Sequence, residues 1–232
     1  MKEKTVAVVS VPFMVMSILF CVCLITANLL ETKALSFFGG LSVTAGLIVF
    51  PISYIINDCI CEVWGFRKTR LVIWCGFACN FFVVAMGMLA VVLPAAPFWE
   101  GEEHFDFVFG MAPRIAIASL LAFLTGSFMN AYVMSRMKVA DKGKRFALRA
   151  ILSTVAGETA DSLVFFPAAF GGVIAWPQLL QIMLLQVVLK TLYEVIALPL
   201  TVRVVRVVKR IDDSDVYDDG SVSYNPMKLK DL

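Results

Sequence analysis

Long apolar runs separated by short polar connections occupy most of this chain. They cover about Val6 to Leu30, Leu41 to Ile60, Leu71 to Leu93, Pro113 to Met134, Leu148 to Phe170, and from Pro177 to about Val205. Roughly 20 apolar residues, rising 1.5 Å each, carry a helix through about 30 Å of hydrocarbon. The pattern therefore predicts an all-α integral membrane protein with six transmembrane helices over residues 1–210. A polar, acidic tail over residues 211–232 is expected to be disordered and cytoplasmic. Breakers sit between the runs: Gly39-Gly40, Pro94 and Gly171-Gly172, with Pro113 suited to a first helical turn. The first run is too long for the apolar part of a signal peptide and lacks an A-x-A cleavage site, so it is expected to be retained.

Composition sharpens this picture. Of the 232 residues 60% are apolar and 16% charged, with a mean hydropathy of +0.85, against about half and a quarter in a soluble domain. No length remains for a soluble catalytic domain. The net charge of +2 gives no reason to expect nucleic-acid binding. Its distribution says more, because cytoplasmic loops carry the Lys and Arg excess. Lys2 and Lys4 precede the first run, and Arg67, Lys68 and Arg70 follow the second. Arg136 to Arg149 join the fourth and fifth, and Arg203 to Arg210 follow the sixth. The remaining connections hold Lys33, an acidic stretch with Glu100, Glu102, Glu103, His104 and Asp106, and the uncharged GGVIAWP. Six spans with both termini cytoplasmic satisfy every loop. Trp99 and Trp176 fall where aromatic belt anchors belong.

The six cysteines lie in or beside apolar runs and are expected to be reduced small hydrophobes. Cys59 and Cys61 are spaced C-x-C, and with one histidine in the chain neither a metal site nor a cofactor is expected. No G-x-S-x-G, G-x-G-D or H-E-x-x-H motif occurs, so an enzyme is not expected.

Charges inside apolar helices cost several kcal/mol or more and usually face an interior path or pocket. Three runs carry them at helical spacing. In the second, Tyr54, Asp58 and Glu62 fall four apart, with Asn57 and Cys61 alongside. In the fifth, Thr154, Glu158, Asp161 and Phe165 share a face. In the sixth, Gln186, Lys190 and Glu194 repeat at four, with Tyr193 nearby. Asn28 and Arg114 lie near the outer ends of their runs. Setting the acids Asp58, Glu62, Glu158, Asp161 and Glu194 against the bases Arg114 and Lys190 leaves three carboxylates without an in-span partner. Glu62 could pair with Arg67 or Arg70, and Lys190 with Glu194 along its own helix. The others need a proton, water, or a cationic or donor-rich ligand.

The segments NDCICEVWG (57–65), PRIAIAS (113–119), STVAGETADSLVFF (153–166) and LKTLYEVIALP (189–199) resemble the queuosine precursor transporters, also called the vitamin uptake transporter family. The resemblance spans roughly Ala27 to Pro199. It implies six helices similar to the substrate-binding subunits of energy-coupling-factor transporters, a bacterial inner-membrane location, and import of 7-deazaguanine bases destined for tRNA modification. Asn28, Asp58, Glu62, Arg114, Glu158, Asp161 and Lys190 match the polar pattern of that family, whereas Asn130 stands where relatives often carry an acid.

A 7-deazaguanine presents N1–H and a 2-amino group as adjacent donors and a carbonyl as acceptor. Glu158 or Asp161 suits the donor edge; Lys190, Arg114 or Asn28 suits the acceptor; Phe165, Phe166, Tyr193 and Trp176 offer aromatic faces. Asp58, Glu62 and Glu194 complete the expected substrate-binding set. The expected partners are that small molecule and the lipid bilayer, with a coupling proton and a second copy of the chain left open. The competing reading is a vitamin-type binding subunit dependent on a separate ATPase module. The first run lacks the Ala-x-x-x-Ala docking face common in such subunits.

Overall fold

The computed structural model describes residues 9–30, 32–36, 42–110, 113–172 and 175–217. Helix α1 (Val11–Leu30) buries a stripe of Phe13, Met16, Phe20, Leu24 and Ala27, spaced three and four apart. Its other side is just as apolar yet exposed, with Met14, Val15, Ile18, Leu19 and Val22 outermost. A helix that is apolar all round gains from lipid what water would penalise. A two-stranded antiparallel ribbon follows, β1 (Ala34–Ser36) and β2 (Ser42–Thr44), with Ala34 opposite Thr44 and Ser36 opposite Ser42. Apart from this ribbon, the described elements are helical.

A single 3-10 turn, Ala45–Ile48, leads into α2 (Phe50–Val92), with Pro51 in its opening turn. The second and third apolar runs, expected to be joined by a basic loop, are joined instead by one residue. Gly65 has φ 79° and ψ 173°, a conformation open essentially to glycine alone. Trp64 meets Phe13 edge to face at the start of α1, whereas Phe50 and Asn80 both lie beside Asn28 near its end. The two arms of α2 therefore run in opposite directions, and Arg67 to Arg70 are helical rather than a loop.

Helix α3 (Glu102–Gly110) forms inside the acidic connection, with Glu102 and Glu103 complementing the dipole of its first turn. It docks Phe109 over Gly87. Helices α4 (Pro113–Asp141) and α5 (Phe146–Phe170) are joined by a tight turn in which Lys142, Gly143 and Arg145 have φ of 54°, 73° and 53°. They cross closely at Gly126 and Gly157, where a Cβ on either would lie 2.9 Å from the other's carbonyl oxygen. The ring of Tyr54 lies against this crossing. Helix α6 (Trp176–Asp212) continues two turns beyond its apolar run. The segment expected to be a disordered tail is described as far as Tyr217 and packs back on the helices; residues 218–232 lie outside the described residues.

Among the described residues, three stretches are long and apolar enough to cross a membrane: Val11–Leu30, Phe50–Val92 and Leu179–Asp212. The reversal at Gly65, the α4–α5 turn and the end of α6 gather at one end of the molecule, its basic end. The end of α1, the start of α2 and the start of α6 meet at the other.

Candidate functional site

The polar stripes on α2, α5 and α6 meet along the axis of the bundle and form three layers. The uppermost borders a partly open pocket whose bounds take in about 480 Å³ of non-atom space, open solvent included. Leu24 and Asn28 of α1, Phe50 and Asn80 of α2, and Phe123 of α4 line one side. Asp161, Phe165 and Phe166 of α5 face Gln186 and Lys190 of α6 across it. The Lys190 ammonium sits 2.7 Å from Glu158, 3.6 Å from Asp161, and 3.9 Å from the centroid of the Phe50 ring. Lys190 thus reaches across to α5. Glu158 is fully buried beneath the cavity, while Asp161 reaches its wall. Asn28 Nδ2 donates to Asn80 Oδ1 at 3.1 Å, and Phe165 and Phe166 meet edge to face at 5.2 Å.

One helical turn below lies a second layer. Asp58 of α2 faces Glu194 of α6 and lies beside Asn130 of α4. The Thr154 hydroxyl of α5 donates to Glu194 Oε2. No lysine or arginine pairs with Asp58 or Glu194 among the described residues.

The third layer, at the basic end, is dense with charge. Arg149 lies 2.7 Å from Glu62 Oε2, Lys209 lies 2.7 Å from Glu62 Oε1, and Lys138 is 4.0 Å away. Asp215 accepts from Lys138 at 2.8 Å and lies 2.9 Å from Lys209, and Asp141 lies 3.4 Å from Arg149. This cluster follows from the break at Gly65, which deprives the last carbonyls of the first α2 arm of their intrahelical donors. The Lys138 ammonium donates to the Glu62 carbonyl, and the Val216 amide donates to the Val63 carbonyl at 3.0 Å. The Trp64 indole donates to Asp212. The segment after α6 thereby caps α2.

Burial raises the Asp215 carboxyl, but hydrogen bonds and charge from Lys138 and Lys209 outweigh it and hold the group below the usual aspartate range. A lowered folded-state pKa stabilises docking above the ordinary value of about 3.9, and that contribution is lost as pH falls through the lowered one. Hydrogen–deuterium exchange of residues 211–217, corrected for its intrinsic pH dependence, is expected to accelerate in acid. Asp215→Asn is expected to show the faster exchange already at neutral pH.

The ten residues expected to bind substrate are thus divided. Asn28, Asp161, Lys190 and Phe165 line the cavity, and Glu158 supports it from below. Asp58 and Glu194 form the middle layer. Glu62 belongs to the basic end, where its partners are Arg149, Lys209 and Lys138, in place of the expected Arg67 or Arg70. Tyr193 is exposed and lines no part of the cavity, and Trp176 is exposed as well. The Arg114 side chain lies outside the described residues. Sequence reasoning missed Phe50, Asn80 and Phe123. Asn80, an isolated amide in an apolar run, was a usable signal, whereas Phe50 and Phe123 are indistinguishable from lipid-facing aromatics until the helices are assembled.

Residues 44–204, well over half of the chain, match the family model described as "Putative vitamin uptake transporter". A protein of Bacillus subtilis named "Probable queuosine precursor transporter" is 26% identical over 176 residues, covering 75% of this chain and 76% of that protein. A Haemophilus influenzae protein of the same name is 30% identical over 131 residues, 55% of this chain and 52% of that one. The Escherichia coli "Queuosine precursor transporter" is 26% identical over 138 residues, 56% and 57% of the two chains. No solved structure matches. These names are those of transporters rather than enzymes, and with the exposed apolar helices they make this a membrane protein. The chain belongs to the vitamin uptake transporter family.

Proposed function

We propose that this protein imports a queuosine precursor of the 7-deazaguanine class across the bacterial inner membrane. It does so through six membrane spans: α1, the two arms of α2, α4, α5 and α6. Both termini are cytoplasmic in this reading, because the basic end collects the positive loops, the α4–α5 turn and the end of α6. The cavity then faces the outer side and the ion-paired layer closes the inner side, the arrangement an importer needs to receive substrate.

The observation that carries the reading is the company kept by Lys190. One cation against two carboxylates, beside a cavity walled by Phe50, Phe123, Phe165 and Phe166, leaves a carboxylate available to a donor-bearing flat ring. Asp161 accepts from N1–H and the 2-amino group, and Lys190, held by Glu158, donates to the ring carbonyl. Gln186 and Asn28 supply further amide groups at the wall, and the aromatic rings stack on the base.

Asp161→Asn retains shape but turns an acceptor into a donor. A charge-assisted hydrogen bond is worth about 1.5–3 kcal/mol, so uptake at limiting substrate is expected to fall roughly ten- to a hundred-fold. The test uses cells that lack their own carrier and cannot make the base, with queuosine in tRNA as readout. Unmodified tRNA despite wild-type protein in the membrane and supplied precursor overturns the reading.

A further inference from the structure

The middle layer is not explained by substrate recognition. Asp58 and Glu194 face each other from α2 and α6 one turn below the cavity, fully or almost fully buried. Thr154 donates to Glu194 Oε2, and Asp58 lies within hydrogen-bonding reach of both Glu194 and the Asn130 amide, but no described residue places a donor between the two carboxylates. Asn130 is fully buried and brings its amide, a neutral donor, beside Asp58. Two ionised carboxylates cannot hydrogen-bond to each other, because both only accept.

Among the described residues, the surroundings offer no compensating cation at this level. On α2 the neighbours are Tyr54, Cys59 and Glu62; on α5, Thr154 and Glu158. On α4 the neighbour is the neutral Asn130, and α1 has no charged residue. Lys190, one turn away on α6, reaches toward Glu158 and Asp161, and Arg149, Lys138 and Lys209 surround Glu62.

We propose that Asp58 and Glu194 share one proton and form the coupling-ion site of this transporter, separate from the substrate cavity. The shared proton supplies the missing O–H donor between the carboxylates and leaves the pair with one negative charge instead of two. It enters from the outer side with the cavity open. When the ion-paired layer opens, it passes to cytoplasmic water, leaving both carboxylates ionised until the site faces outward again. The coupling role rests on the transport reading above; the shared proton does not.

The test therefore has two arms on the full-length purified protein. Infrared difference spectra between acid and alkaline pH should show the carbonyl stretch of a protonated carboxylic acid persisting at neutral pH. The band should shift in Asp58→Asn and in Glu194→Gln, where the remaining buried acid stays protonated without its carboxylate partner, and it should be lost when the two changes are combined. In proteoliposomes supplied with labelled 7-aminomethyl-7-deazaguanine, an inward proton gradient should drive accumulation, and a protonophore should abolish it. Both variants should lose at least ten-fold in accumulation while still exchanging substrate at equilibrium. The absence of a protonated acid from the wild-type spectrum at neutral pH overturns the proposal. So does accumulation driven by a sodium gradient alone, or undiminished proton-driven accumulation in both variants. A wild-type protein that shows the infrared band but neither binds nor exchanges the base contradicts the transport reading and, with it, the coupling role, while leaving the shared proton standing.

Discussion

Lys190→Ala is expected to abolish uptake and to destabilise the protein. Its ammonium is the cation set between Glu158 and Asp161 and against the face of Phe50. Removing one partner of a buried pair leaves the other charge uncompensated, a loss of about 3–5 kcal/mol. Glu158, fully buried, then has to take up a proton or draw water into the core. Two consequences should be separable. Lys190→Ala with Glu158→Gln removes both charges, so thermal stability in detergent should recover most of the loss. Uptake should not recover, because the donor to the base is still missing. Recovery of transport in the double variant would reduce Lys190 to a structural counterion.

Glu62→Gln should have the second large effect, at the opposite end of the bundle. Arg149, Lys138 and Lys209 converge on this carboxylate, the first two almost entirely buried. Among the described residues, neutralising it leaves their positive charges in contact only with the carboxylates of Asp141 and Asp215. A loss of about 3–5 kcal/mol is expected, as for any buried ion pair broken from one side. The same change loosens the cap on α2, since Lys138 also holds the Glu62 carbonyl and Asp215. Residues 211–217 should exchange amide hydrogens faster than in the wild type. Glu62→Met with Arg149→Met, removing charge from both sides, should be less destabilised than Glu62→Gln alone. A Glu62→Gln protein with unchanged melting temperature and unchanged exchange would mean that the cluster contributes nothing to closing this end.

The stripes on α2, α5 and α6 were legible from spacing alone, because a side chain every fourth residue stays on one helix face whatever the tertiary structure. Their convergence followed from the cost of presenting Asp58, Glu158 or Lys190 to lipid. The division into three layers was not legible. It depends on the relative heights of the helices, which Gly65 sets by reversing the chain at a single residue, where the basic run 67–70 reads as a loop. Glu62 shows the same limit: Arg67 and Arg70 are near it in sequence, but the reversal turns its carboxylate toward α4, α5 and α6 instead. Acidic residues after α6 read as a solvated tail until Lys138 and Lys209 bring cations to Asp215. Tyr193 follows a simpler rule: three residues from Lys190 is close enough to share a stripe in sequence and far enough to reach the exposed side.

Together the layers form the proposed path: a cavity to receive the base, a carboxylate pair beneath it, and an ion-paired floor. The recognition step is its foundation, and equilibrium binding to the purified protein in detergent tests it without any dependence on coupling. The wild type is expected to bind at least one of 7-cyano-7-deazaguanine, 7-aminomethyl-7-deazaguanine and queuine saturably, with affinity at least ten-fold weaker in Asp161→Asn. Binding of none of the three, or equal affinity in Asp161→Asn, would contradict it.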